Sequence, residues 1–167
     1  IYTDHSQGIF QKTDNPLDLA LEGDGFFEID TPQGLRYTRN GNFRLDTEQH
    51  VVTQDGNFVL NSNQKKIKIQ DTRGMIAVGP DGTISIGDGF ENQGGGKIRL
   101  VKFEDSKALA KEGNGLYKIM DNEVEPLRAD NLRITQGALE RSNVNSVEEM
   151  TNMITAIRAF EAYQKII

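Results

Sequence analysis

The sequence has 167 residues, including 17 glycines and no cysteine, and a net charge of −6. This length suits one domain with a substantial core plus a short appendage. The lack of cysteine excludes a disulfide framework and a thiolate metal site. Charges of both signs are spread along the chain without a basic stripe, which disfavours nucleic acid and anionic membranes as partners. No apolar run approaches the roughly 20 residues that cross a bilayer.

The first residues contain no targeting segment. Ile1 to His5 have neither the basic nor the apolar region of a signal peptide, and the chain lacks an initiator methionine. We therefore expect an internal piece of a longer protein.

Short apolar runs separated by turn dipeptides occupy the chain from residue 7 to about residue 133. Asn40-Gly41 and Asp55-Gly56 are typical of two-residue hairpin turns, because glycine accepts the positive φ that these turns need. The pattern predicts a mainly β fold, an antiparallel sandwich or barrel-like domain. The predicted strands are residues 17–21, 25–30, 35–38, 42–45, 51–53, 58–60, 67–69, 75–78, 84–86, 97–103, 116–119 and 132–136.

Two local patterns predict how these strands present their side chains. Ile67 and Ile69 flank Lys68, so this strand should have one buried and one solvated face. Phe26 and Phe27 are adjacent and would therefore serve opposite faces of a sheet.

A short helix is predicted at residues 106–112, where Ser106 could cap the start and Gly113 could end it. A longer amphipathic helix is predicted at about residues 146–167. Ser146 and Glu149 form its capping box, and no Gly or Pro follows.

The long helix has apolar residues at the alternating spacing of three and four that is typical of a coiled coil. Additional apolar positions widen this stripe beyond a two-stranded seam. We expect a β-rich core domain at residues 1–136, and an arm with a coiled-coil-type helix at residues 137–167.

Candidate catalytic and metal-binding residues lack the necessary patterns. His5 and His50 lie in unrelated polar contexts without ligand spacing. The glycine-rich stretch 94–97 lacks the following Ser or Thr and the helix of a phosphate loop. Asp121 and its acidic neighbours have no partner base. We expect no catalytic residue, no cofactor and no metal.

Three stretches resemble bacterial flagellar rod and hook proteins. Residues 15–27, NPLDLALEGDGFF, resemble the signature that opens the β domain of that family. Residues 37–43 and 51–56 resemble its next block, and residues 136–161 resemble its C-terminal arm and helix. The motif residues are Leu17, Asp18, Leu19, Ala20, Gly23, Gly25, Phe26, Phe27, Gly41, Ser142, Asn143 and Val144.

The resemblance also implies what lies outside this chain. Family members begin with a long helix that pairs with the C-terminal one, so the parent would be longer at the N-terminus and slightly longer beyond Ile167. The ending 158–165, RAFEAYQK, resembles proximal-rod subunits first and distal-rod subunits second.

The function implied by the resemblance is structural. The chain would be a subunit of the flagellar basal-body rod that self-assembles, with other axial proteins, into a helical tubular shaft that transmits torque. Family members are exported by the flagellar type III apparatus without a cleaved signal, which implies a place in the periplasmic rod without membrane insertion. The residues expected in the subunit interface are Leu139, Val144, Val147, Met150, Met153, Ile154, Ile157, Phe160, Tyr163 and Ile167.

Two alternatives stay open. One is a distal-rod or hook-type axial subunit. The other, from a different class, is a β-rich ligand-binding module, which would need an exposed aromatic platform.

Overall fold

The computed structural model describes residues 8–70, 74–87, 96–105, 108–120, 124–129, 131–141 and 146–164. The chain divides into two compact units. One unit spans Gln7–Arg141 and is called the β unit below, and the other contains the C-terminal helix α1 (Ser146–Gln164).

Short strands build the β unit, as the turn-rich sequence predicts. In chain order they are β1 (Phe10–Lys12), β2 (Leu19–Glu22), β3 (Phe26–Thr31), β4 (Gly34–Thr38), β5 (Phe43–Leu45), β6 (Val51–Thr53), β7 (Phe58–Val59), β8 (Ile76–Val78), β9 (Thr83–Ile86), β10 (Gly96–Lys97), β11 (Leu100–Lys102), β12 (Leu109–Gly113), β13 (Leu116–Ile119), β14 (Leu127–Arg128), β15 (Arg133–Gln136) and β16 (Ala138–Glu140).

The described strands form four antiparallel sheets. The largest has the order β12-β13-β4-β3-β7-β6-β5, with β11 also paired to β3 and β14 paired to β11. The others are β10-β9-β8, β15-β2 and β1-β16. Among the described residues these sheets stay open and do not close into a barrel. The prediction of a mainly β antiparallel fold with a C-terminal helix is confirmed.

Phe26 and Phe27 lie on opposite faces of β3, as their adjacency predicts. Phe27 is fully buried in the main core, where its ring meets Phe43 edge-on at 5.1 Å between centroids. Phe26 belongs to a second cluster with Tyr37 and Leu109. One dipeptide therefore anchors β3 in both cores.

The segment around Ile67 keeps its predicted alternation without forming a regular strand. Ile67 and Ile69 are buried and Lys68 is exposed. The main chain makes isolated bridges instead, with Lys68 opposite His50 and Leu60 opposite Lys66. The two isoleucines join the main core from this irregular segment.

The helix predicted at residues 106–112 is wrong, because Leu109–Gly113 forms strand β12. This strand makes an antiparallel hairpin with β13. Asn114 and Gly115 both have positive φ, 51° and 73°, which matches the twist of a tight hairpin. Leu109 is buried in the second core cluster. Gly113 therefore precedes a hairpin turn and does not end a helix.

A buried ion pair ties β3 to the segment between β10 and β11. The Glu28 side chain is fully buried, and Arg99 Nε donates to its Oε2 at 2.7 Å. Gln64 Nε2 donates to the other carboxylate oxygen at 3.2 Å. Both carboxylate oxygens of Glu28 are therefore used in structural contacts. Burial of Tyr37, together with the neighbouring Glu28 carboxylate, raises the pKa of Tyr37 to about 12.

Gly41 lies too close to β2 for any side chain. A Cβ there would be 1.8 Å from the Leu19 carbonyl oxygen, and the Leu19 amide donates to the Gly41 carbonyl at 3.0 Å. We expect Gly41→Ala to separate these segments and lower the free energy of unfolding by about 2 kcal/mol or more, measured by urea denaturation.

Gly113→Ala is the matched control for this substitution. Its Cβ would meet nothing within 4 Å, so only the positive φ of 109° opposes it. That strain costs about 1 kcal/mol. Equal losses for the two variants would contradict the close approach at Gly41.

Candidate assembly surface

Helix α1 begins at Ser146, where the capping box predicts its start, and is described through Gln164. Side chains are described from Met150 onward, except at residue 162. Val147 therefore lies on the helix, but its side chain is outside the described part. Among the other predicted interface residues, Val144 and Ile167 lie outside the described residues.

The predicted interface residues of the helix present large apolar side chains to solvent. At 3.6 residues per turn, the positions from 150 to 160 in this set fall within an arc of about 120°, and position 163 widens the arc. Exposed apolar surface of this extent marks an interaction site. The exposed fractions are 63% for Met150, 65% for Met153, 52% for Ile154, 50% for Ile157, 63% for Phe160 and 72% for Tyr163. This set is called the apolar stripe below.

The far side of the helix is polar. Thr155 lies roughly opposite the middle of the apolar stripe, and its hydroxyl donates to the Thr151 carbonyl at 2.9 Å. Arg158 is exposed on the same side. The large apolar side chains therefore concentrate on one side of the helix, where exposed Glu161 also lies.

Leu139, the remaining predicted interface residue, lies in the β unit. It sits in β16, where it is half-buried and opposite Gln11 of β1. Strands β1 and β16 are called the neck below. The chain enters the neck at Gly8 and leaves it at Arg141, whose amide donates to the Ile9 carbonyl at 2.9 Å. The chain therefore enters and leaves the β unit at the same place.

Asp18 of the family motif is a buried structural residue. Its Oδ1 accepts from Asn42 Nδ2 at 2.9 Å and from Asn15 Nδ2 at 3.2 Å. Its carbonyl oxygen accepts from the amides of Gly137 and Ala138 at 2.8 and 3.3 Å. Asp18 thus joins the first block of the motif to the start of β16.

The rest of the motif within the described residues also builds the core. Leu19 and Ala20 are buried in β2, which pairs with β15. Gly25 approaches β11 so closely that a Cβ would lie 2.9 Å from the Val101 carbonyl oxygen. Gly23 has a positive φ of 97° in the turn before β3. Ser142 and Asn143 lie outside the described residues.

Of the residues considered for chemistry, His50 lies in the described part of the chain, whereas His5 and Asp121 lie outside it. His50 Nδ1 lies 3.3 Å from Asp46 Oδ2, and the ring meets Phe58 edge-on. Hydrogen bonds from Thr83 and Lys97 lower the pKa of Asp81 to about 2, as expected of a turn carboxylate. In the part of the chain that the structure describes, no group of three or more His, Cys, Asp or Glu residues could hold a metal.

An open groove of about 540 Å³ crosses β4 and β13, with Leu35, Ile119 and Pro126 in its walls. Its arginines already have partners, since Arg36 binds Glu112 and Arg99 binds Glu28. Nearby aromatic rings pack edge-on against one another, with Tyr37 and Phe103 at 4.9 Å between centroids.

No helix among the described residues has the length and apolarity needed to span a bilayer.

Comparison with known proteins matches both parts of the chain to one family. Residues 20–86 match the flagellar hook protein FlgE/F/G D1 domain, and residues 135–167 match the C-terminal domain of flagellar basal-body rod FlgEFG proteins. The chain belongs to this family of flagellar hook and basal-body rod proteins, as its motifs predict.

Individual relatives carry the same description. The chain is 42% identical over 174 residues to the flagellar basal-body rod protein FlgG of Bacillus subtilis, covering 100% of this chain and 66% of the relative. It is 38% identical to the rod protein FlgF of Caulobacter vibrioides, covering 96% of this chain and 64% of the relative. The chain thus spans slightly less than two thirds of these curated relatives. Its rod position stays a prediction.

We expect Asp18→Ala to destabilise the β unit, because it removes a buried carboxylate and leaves the partly buried Asn42 amide without its acceptor. The free energy of unfolding should fall by about 2 kcal/mol, measured by urea denaturation. Asp24→Ala, an exposed carboxylate in the same motif, should change it by less than about 0.5 kcal/mol. Equal effects at the two positions would refute the structural role of Asp18.

Proposed function

We propose that this chain is the β domain and C-terminal helix of a structural subunit of the bacterial flagellar basal-body rod. The observation that carries the proposal is the apolar stripe on α1, in a chain whose family consists of flagellar axial proteins. The subunit would work by assembly and would transmit torque as part of a helical tubular shaft, not by catalysis.

The energetics of the apolar stripe favour several neighbours over one. Six side chains that are at least half exposed would each gain about 1–2 kcal/mol on burial, or about 10 kcal/mol together. Association costs about 4–15 kcal/mol in lost freedom and ordering. A single contact is therefore marginal, whereas a helix packed among several neighbours is stable. Heterologous contacts that repeat without closing produce such an array as a filament.

The position of the neck supports a subunit with two parts that have different roles. Residues 1–136 would form the core domain, and residues 137–167 the arm and a coiled-coil-type helix at about 146–167. The first part of this arm, β16, pairs with β1. A helix preceding the neck in the parent would then start beside the arm and could pair with α1.

The partners and location follow from the same proposal. The subunit would bind copies of itself and other rod and hook-type axial proteins, and would pass through the flagellar export apparatus without a cleaved signal. It would reside in the periplasmic part of the basal body. The ending at residues 158–165 favours the proximal rod over the distal rod.

Phe160→Asp or Ile157→Asp in the full-length protein should abolish incorporation into the rod, because a charge would enter the buried helix contact. Motility in soft agar and subunit content of purified basal bodies measure this. The matched control is Thr155→Asp, which adds the same charge on the polar side of the helix and should keep motility. Normal motility of the stripe variants, with subunit content unchanged, would contradict the proposal.

A further inference from the structure

Arg39 makes four hydrogen bonds, three to carbonyls of β2 and the turn that follows it, and one to the neck. Its Nη1 donates to the carbonyls of Gly23 and Gly25 at 2.8 and 3.0 Å, and its Nη2 donates to the Leu21 carbonyl at 3.2 Å. Its Nε donates to Glu140 Oε2 at 3.0 Å. The guanidinium thus holds the turn between β2 and β3 with one edge and β16 with another.

Glu140 also contacts the chain just before β1. Its second oxygen, Oε1, accepts from the Gly8 amide at 2.8 Å. Gly8 lies against the departing chain, since a Cβ there would be 1.7 Å from the Arg141 carbonyl oxygen. The side chains of Arg39 and Glu140 are only 15% and 10% exposed, so water screens their interaction little.

Apart from Arg39 and Glu140, main-chain hydrogen bonds hold the neck, including those from the Gly137 and Ala138 amides to the Asp18 carbonyl. The ladder between β1 and β16 contains three residue pairs, and Ile9, Gln11 and Lys12 are exposed. An isolated two-stranded ribbon of this length is not stable in water. Segments with few buried apolar contacts also open locally at low free energy. The neck therefore depends on its attachment to the β unit.

We infer that Arg39 is a positioning residue for assembly: through Glu140 it clasps the neck to the turn between β2 and β3. The clasp fixes the place at which the chain leaves the β unit at Arg141, and we expect assembly to need this place held. This inference rests on the proposed function. The interaction is not equivalent to an ordinary surface ion pair, because three main-chain carbonyls share the same guanidinium.

Hydrogen exchange of the present chain tests the clasp first. We expect Arg39→Gln to speed amide exchange in peptides covering residues 8–12 and 138–141 by at least about tenfold. Exchange in strand β3 should stay within about twofold, because its ladder is in the main core. Arg36→Gln on β4 is the matched control: it breaks the ion pair with Glu112 of β12 and should leave exchange in the neck unchanged.

Two further variants keep the test decisive if Arg39→Gln does not fold. Glu140→Gln keeps the three hydrogen bonds from Arg39 to main-chain carbonyls. It removes the carboxylate charge that accepts from both Arg39 Nε and the Gly8 amide. Gly8→Ala forces the strands apart from the other side. Both should speed exchange in the neck while β3 stays protected. Unchanged neck exchange in folded Arg39→Gln, or in both other variants, would overturn the clasp.

Assembly in the cell then tests the positioning role. In the full-length protein, Arg39→Gln should reduce rod incorporation and motility at least about tenfold, with normal amounts of folded subunit, whereas Arg36→Gln should not. Normal motility with a loosened neck would overturn the positioning role but leave the proposed function intact. Normal motility of Phe160→Asp would instead overturn the proposed function itself.

Discussion

The pairing of β1 with β16, held to the turn between β2 and β3 by Arg39 and Glu140, is the constraint on which the path of the chain out of the β unit depends. It joins strands near the first and last residues of the β unit. The chain therefore enters and leaves the β unit at the same place. Asp18 and Arg39 reinforce this place, one through main-chain amides of Gly137 and Ala138 and the other through Glu140. Helix α1 follows outside the β unit.

Polar and large apolar side chains are placed differently in the two units. Among the described carboxylates of the β unit, Glu28 binds Arg99, and Asp81 accepts from Thr83. Large apolar side chains, in contrast, are exposed on α1. Burial of these side chains needs another apolar surface, which is the physical reason for proposing self-assembly.

Local signals in the sequence predicted the local structure well. Phe26 and Phe27 serve both faces of β3, Ile67 and Ile69 are buried, and the helix begins at its capping residue, Ser146. These outcomes depend on neighbours within a few residues. The apolar stripe was also predictable, because helical periodicity alone places its members on one side.

Contacts between distant residues could not be predicted in this way. Arg39 and Glu140 are 101 positions apart, and Gly8 and Glu140 are 132 apart. Strands β1 and β16 are short and show no strong alternation, so only their pairing defines them. Strand β12 was mistaken for a helix because Gly113 resembles a helix end, whereas Asn114 and Gly115 close a hairpin.

The central claim is that neighbouring subunits cover the apolar stripe in the assembled rod. Since this chain contains no cysteine, a single Phe160→Cys substitution provides a specific probe, with Thr155→Cys as its partner on the polar side. Purified basal bodies treated with a short cross-linker that couples to the thiol at one end and to any nearby side chain by photoactivation at the other should yield cross-links from position 160 to adjacent subunits and far fewer from position 155. Equal cross-linking at both positions, or none at position 160 in fully assembled rods, would contradict the account.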